Sequence, residues 1–84
     1  YANTADYNTG IGTEALTSNT TGYSNTGVGA QTLYSNTTGN ENTAIGYGAL
    51  YGYSIGNIGN VNTAVGVASM TAMSGGSWYW CIYP

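Results

Sequence analysis

The chain has 84 residues, 42% of them hydrophobic, and a formal net charge of −3 that comes from Asp6, Glu14 and Glu41, with no Lys, Arg or His. That length allows one small domain with a modest core. Without cations a phosphate-gripping nucleic-acid surface and a polybasic membrane contact are excluded, and without histidine the usual acid–base group is gone. The combination of low charge and substantial hydrophobicity is not that of a disordered segment. No apolar run is long enough to insert into a membrane.

In chain order, residues 1–7, "YANTADY", match the second half of a unit that then recurs. Setting each Asn of an "NT" pair as position zero gives Asn8, Asn25, Asn42 and Asn62, spaced by 17, 17 and 20 residues. Position +1 is then Thr9, Thr26, Thr43 and Thr63, and +2 is Gly10, Gly27, Ala44 and Ala64. Position +3 is Ile11, Val28, Ile45 and Val65, +4 is always Gly, and +8 is Leu16, Leu33, Leu50 and Met70. The three extra residues of the third unit fall between Tyr51 and Gly59, in a turn, where insertions are tolerated. Each unit reads as a strand, a Gly corner, a second short strand around +7 to +9, and an "SNTTG" turn. One unit alone cannot bury its aliphatic residues, whereas stacked units can. The fold expected is therefore all-β: a short parallel β-solenoid, or β-roll, over residues 1–76, with a half-rung at 1–7 and rungs at 8–24, 25–41, 42–61 and 62–76. Residues 77–84 form a divergent, aromatic capping strand in which Trp80 overlays the Thr column and Ile82 the Ile/Val column.

Strand alternation puts +1 and +3 on one side and +2 and +4 on the other. Assigning the bulky aliphatics to the interior predicts two inward ladders: Ile11, Val28, Ile45, Val65 and Ile82, and Leu16, Leu33, Leu50 and Met70. Gly10, Gly27, Ala44 and Ala64 then face outward, joined by Ala15, Thr32, Ala49 and Ser69 at +7. Such a small-residue strip, with Trp78 and Trp80 at the end, is the expected contact between copies. Tyr34 and Tyr51, both at +9, form an outward stripe. With the Thr column turned inward, the outward Thr array that ice binding requires is not expected.

Two sequons, at Asn19 and Asn36, occupy the same turn position in consecutive units, a pattern suited both to glycan attachment and to plain turn chemistry. The three carboxylates fall at different places in the repeat and pair with nothing, so neither catalysis nor a metal site is expected. Cofactors are not expected either. Cys81 is the lone cysteine and has no intramolecular partner.

The block "NTAIGYGAL" at residues 42–50 resembles the head repeats of trimeric autotransporter adhesins, and with the "SNTTG" linker it is similar to repeats in phage and bacterial tail-fibre proteins. The resemblance runs from residue 8 to about residue 76. It implies a left-handed parallel β-roll on an extracellular fibre, usually trimeric, although this repeat is longer than the usual adhesin head repeat. The function expected is a structural, non-enzymatic subunit of an extracellular or surface-borne fibre that assembles with identical chains. The alternative is an adhesin head or tail-fibre module that binds a surface glycan.

Overall fold

The structure is a computed structural model that describes residues 6–52, 59–69, 76–77 and 80–82, the last two segments as backbone. Its regular elements are strands, with no helix among the described residues. They are β1 (Thr9–Ile11), β2 (Thr26–Val28), β3 (Thr43–Ile45), β4 (Gly59–Asn60), β5 (Thr63–Val65), β6 (Gly76–Ser77) and β7 (Trp80–Ile82). A parallel sheet runs in the order β1-β2-β3-β5-β7, and β4 pairs with β6 beside it.

The register follows the repeat columns. Thr9 pairs with Thr26, Thr26 with Thr43, Thr43 with Thr63 and Thr63 with Trp80. Val65 pairs with Ile82, so the tail joins the sheet in the alignment its sequence suggests. The 20-residue step from Thr43 to Thr63 keeps the same register, and Gly59 still meets Gly76. Outside the strands, backbone bonds between equivalent positions carry the stacking around the turns. Leu16, Leu33 and Leu50 donate their N–H groups to Thr32, Ala49 and Ser69 carbonyls at 2.9, 3.1 and 2.9 Å. Gly29, Gly46 and Gly66 N–H groups donate back to Ile11, Val28 and Ile45 carbonyls at 2.7, 2.8 and 2.8 Å. Each repeat thus satisfies its backbone on the next one, which is what lets irregular chain pack without orphaned polar groups.

The expected assignment of inside and outside is reversed in the strands. Ala44 and Ala64 are fully buried, and Ile11 and Ile45 are 59% and 41% exposed. Gly27 is buried too; Gly10 is exposed, yet a Cβ on it would point at Leu16 Cδ1, 3.4 Å away, in the same inward direction. So Gly10, Gly27, Ala44 and Ala64 form no outward strip. The reason is width. A Cβ on Gly27 would come within 2.5 Å of Thr32 Oγ1 across the interior. At Gly27 that leaves no room even for a methyl group unless Thr32 moves, and the fully buried Ala44 and Ala64 mark the largest side chains the column holds; a branched aliphatic side chain does not fit.

The second strand around +7 to +9 is replaced by a turn. Positions +6 and +8 sit in the left-handed region: Glu14, Gln31 and Ala68 at φ 62°, 60° and 58°, and Leu16, Leu33 and Leu50 at 57°, 51° and 51°. Left-handed residues break the two-residue alternation, so +7 and +8 both turn inward. Leu16, Leu33 and Leu50 are buried as expected, but so are Ala15, Thr32, Ala49 and Ser69, which were expected outside. The apolar core is Leu16, Leu33, Leu50, Ala44, Ala49 and Ala64. Thr32 and Ser69 hydroxyls are satisfied on the Gly29 and Gly66 carbonyls at 3.0 and 3.1 Å. Met70, Trp78, and the side chains of Trp80, Cys81 and Ile82 lie outside the described residues.

Glycine at +4 has a double cause. Gly29 and Gly46 adopt φ of 126° and 119°, and a Cβ on Gly46 would lie 2.7 Å from the Gly66 carbonyl carbon. Neither the conformation nor the space admits a side chain.

Candidate functional site

Two surfaces of the repeat differ in kind, and their chemistry decides what the protein can contact. The inner one combines the Leu and Ala core with asparagines hydrogen-bonded to backbone groups. Asn25, Asn42 and Asn62 are buried, each in the position just before a strand. The Asn8, Asn25 and Asn42 side-chain amides donate to Gly22, Gly39 and Gly59 carbonyls of their own repeat at 2.8, 2.8 and 2.7 Å. Their Oδ1 atoms accept the backbone N–H of Asn25, Asn42 and Asn62 in the next repeat at 2.9, 3.0 and 2.9 Å. Asn8, Asn25 and Asn42 therefore each fix the start of the following strand.

A second ladder explains the sequons. Asn19 and Asn36 were expected at an exposed edge; they are 1% and 0% exposed. Their Nδ2 atoms donate to Gly22 and Gly39 carbonyls at 2.9 and 3.1 Å, and Asn36 Nδ2 also reaches Asn19 Oδ1 at 2.8 Å. A glycan on either nitrogen is sterically incompatible with this fold. Turn chemistry is what the "SNTTG" motif supplies: an asparagine amide folding back three residues onto a glycine carbonyl. That glycine must lack a side chain, because a Cβ on Gly22 would lie 2.6 Å from Asn19 Oδ1. Asn36 Oδ1 is buried without a hydrogen-bond partner.

The outer surface carries the residues free to meet a partner. On the sheet, Thr9, Thr26, Thr43 and Thr63 form one column and Ile11, Val28, Ile45 and Val65 a parallel one, all exposed or half-buried. Off the sheet, Tyr7, Tyr23, Tyr47 and Val67 are exposed. Tyr34 and Tyr51 are half-buried and stacked on each other, ring centroids 4.7 Å apart and 2° from parallel, so the expected tyrosine stripe is a self-satisfied pair. Glu14 Oε1 accepts a bond from Gln31 Nε2 at 3.0 Å on an exposed turn. Among the described residues no group of three or more His, Cys, Asp or Glu is placed to hold a metal ion, and no helix is long and apolar enough to cross a membrane.

The outward Thr and aliphatic columns are what sequence reasoning missed. Their period-two spacing was visible, but the spacing does not say which side is out. Compared with protein-family models, with curated proteins and with solved structures, the chain matches none.

Proposed function

We propose that the chain is a structural segment of an extracellular fibre, a β-solenoid whose rungs are the 17-residue repeats and whose identical copies associate end to end. The observation that carries this reading is the unbroken register: the same columns pair across five strands, including the divergent β7. In-register parallel stacking is self-extending, because each new repeat forms the bonds the last one formed. The near absence of charge removes the repulsion that keeps most proteins apart. The small-residue strip is inside and offers no lateral contact, so association rests on the terminal strands of the sheet. The resemblance to adhesin-head and tail-fibre repeats fits this role and a cell- or virion-surface location.

A single variant separates end-on association from stability. Thr9 N–H donates to the Asn25 carbonyl, and the Ile11 carbonyl accepts from Gly29, so both residues bond towards β2. In a parallel strand the residue between them turns its N–H and C=O to the opposite edge. Gly10→Pro removes that donor, and the added Cβ makes only ordinary contacts, 3.4 Å from Leu16 Cδ1, 3.5 Å from the Ala15 carbonyl oxygen and 3.7 Å from Ala15 Cβ. The native chain is expected to form filaments by electron microscopy and to sediment as a concentration-dependent series. Gly10→Pro is expected to stay folded and remain monomeric. A native chain that sediments as one 8.6 kDa species at every concentration refutes the reading.

A second reading, a glycan-binding module, draws on the exposed Tyr23 and Tyr47 rings, 48% and 58% accessible, which suit stacking on sugar C–H faces. It requires that Tyr47→Ala abolish adhesion to a glycan-bearing surface without altering the fold.

A further inference from the structure

The outward face of the sheet has properties that neither a fibre subunit nor a glycan binder uses. Its columns pair residue by residue: Thr9, Thr26, Thr43 and Thr63, and Ile11, Val28, Ile45 and Val65. Parallel strands repeat at about 4.8 Å across the sheet, and alternate residues recur at about 6.6 Å along a strand. The face is thus a two-dimensional lattice of hydroxyl and methyl groups. Its columns contain no charged residue, and the chain as a whole contains no cation.

The lattice is also held still. The Asn8, Asn25 and Asn42 side chains grip the backbone one residue before Thr26, Thr43 and Thr63. The N–H groups of Thr9, Thr26 and Thr43 bond the Asn25, Asn42 and Asn62 carbonyls at 2.9, 2.8 and 2.8 Å. On the other side of β2, β3 and β5 lies a close-packed interior of Gly, Ala and Leu. Spacing between threonines is therefore set by backbone hydrogen bonds, not by side-chain rotamers. Threonine adds stiffness of its own through its branched Cβ.

We propose that this face binds ice. An ice surface is an uncharged lattice of water oxygens whose repeats lie in the same range as the two spacings of the sheet. Threonine hydroxyls join that lattice by hydrogen bonds, and the neighbouring methyl groups order the water between them. A second copy of the chain is the poorer occupant. Strands of three residues on five rungs cover roughly 250 Å². A stable protein interface needs about 800 Å² per partner. A charged partner has no counter-charge here. A crystal face needs neither large area nor counter-charge, because adsorption is reinforced wherever the lattice repeats.

This inference goes beyond the fibre reading and does not need it, since a monomer displays the same face; a filament would multiply it. The experiment grows a slow ice front through a solution of the purified chain and measures the fraction of protein taken into the ice, alongside inhibition of ice recrystallisation. The native chain and Tyr7→Lys, whose substitution lies off the sheet, are expected to enter the ice and slow recrystallisation. Thr43→Lys and Ile45→Lys, confirmed as folded by circular dichroism, are expected to lose both effects. Exclusion of the folded native chain from ice overturns the proposal, whatever the variants do. So does undiminished ice uptake by folded Thr43→Lys and Ile45→Lys. Conversion of an oligomer to a monomer by those two variants, with ice uptake unchanged, assigns the face to a second copy and overturns it as well.

Discussion

The two sides of one three-residue strand obey opposite rules. In β3, Ala44 points in and is fully buried, while Thr43 and Ile45 on either side of it point out. The inner side is chosen by volume and by hydrogen-bond demand. It accepts Gly or Ala in the strand, Leu from the turn, and asparagines that donate to a carbonyl of their own repeat and accept a backbone N–H from the next. The outer side is chosen by neither. Its Ile and Val residues are only partly covered, by the equivalent residues above and below, which contribute a few tenths to about 1 kcal/mol per pair. In a repeat this narrow, hydrophobicity is an incomplete guide to what lies inside: the interior takes Leu from the turn but only Gly or Ala from the strand, and the strand's Ile and Val are displaced to the surface.

The largest effect should come from placing a charge on each side of β3. Ala44→Asp buries a carboxylate among Leu50, Ala49 and Ala64 with no cation in the chain to pair it. The cost is several kcal/mol. That is enough to unfold a domain whose whole stability is about 5–15 kcal/mol or less. Ile45→Asp, one residue away, should change stability by under about 1 kcal/mol, because the carboxylate remains in water. Circular dichroism melts of the two variants check this. Equal loss of structure in both would mean the inside–outside assignment is wrong.

A smaller contrast separates the buried and exposed asparagines. Asn42→Ala deprives the Gly59 carbonyl and the Asn62 N–H of their partners inside the protein. Two buried unsatisfied groups and a small void should cost about 2–4 kcal/mol. Asn40 also spans two repeats, its Oδ1 accepting from Tyr23 N–H at 3.0 Å, but at the surface. Water replaces it there, so Asn40→Ala should cost no more than about 1 kcal/mol. Urea titration of both variants gives the difference, and similar midpoints would remove the special role assigned to burial.

The smallest effect concerns backbone strain at +6, where Gln31 and Ala68 hold φ near 60° and the third repeat already has Gly48 at 68°. Ala68 is exposed, so its methyl group contributes little packing. Ala68→Gly relieves a left-handed penalty of about 1 kcal/mol, partly offset by the entropy of the unfolded chain. A gain of up to about 0.5–1 kcal/mol in thermal unfolding is expected. A loss would show that the left-handed turn carries no strain to relieve.

Parallel strands, their register and the tolerance of a three-residue insertion could all be read from the chain itself, because stacking identical units places identical residues on one another. Thr63 over Thr43 and Ile82 over Val65 follow from column alignment alone. Burial of Leu16, Leu33 and Leu50 was equally legible. Which side of the strand faces in was not, since a period of two fixes alternation and leaves its sign open. That sign was decided by the approach of the opposite turn, which leaves room for Ala44 and none for Ile45. Nor could the sequence show that Leu33 sits at φ 51°, which ends the alternation and turns Thr32 inward beside it. The two sequons had the composition of a surface turn, and only the fold-back of Asn19 and Asn36 onto glycine carbonyls took them inside. Local pattern therefore determined which residues stack on which. The tertiary structure decided which of them meet water, because that depends on the distance between the strand and the facing turn, a quantity no single column contains.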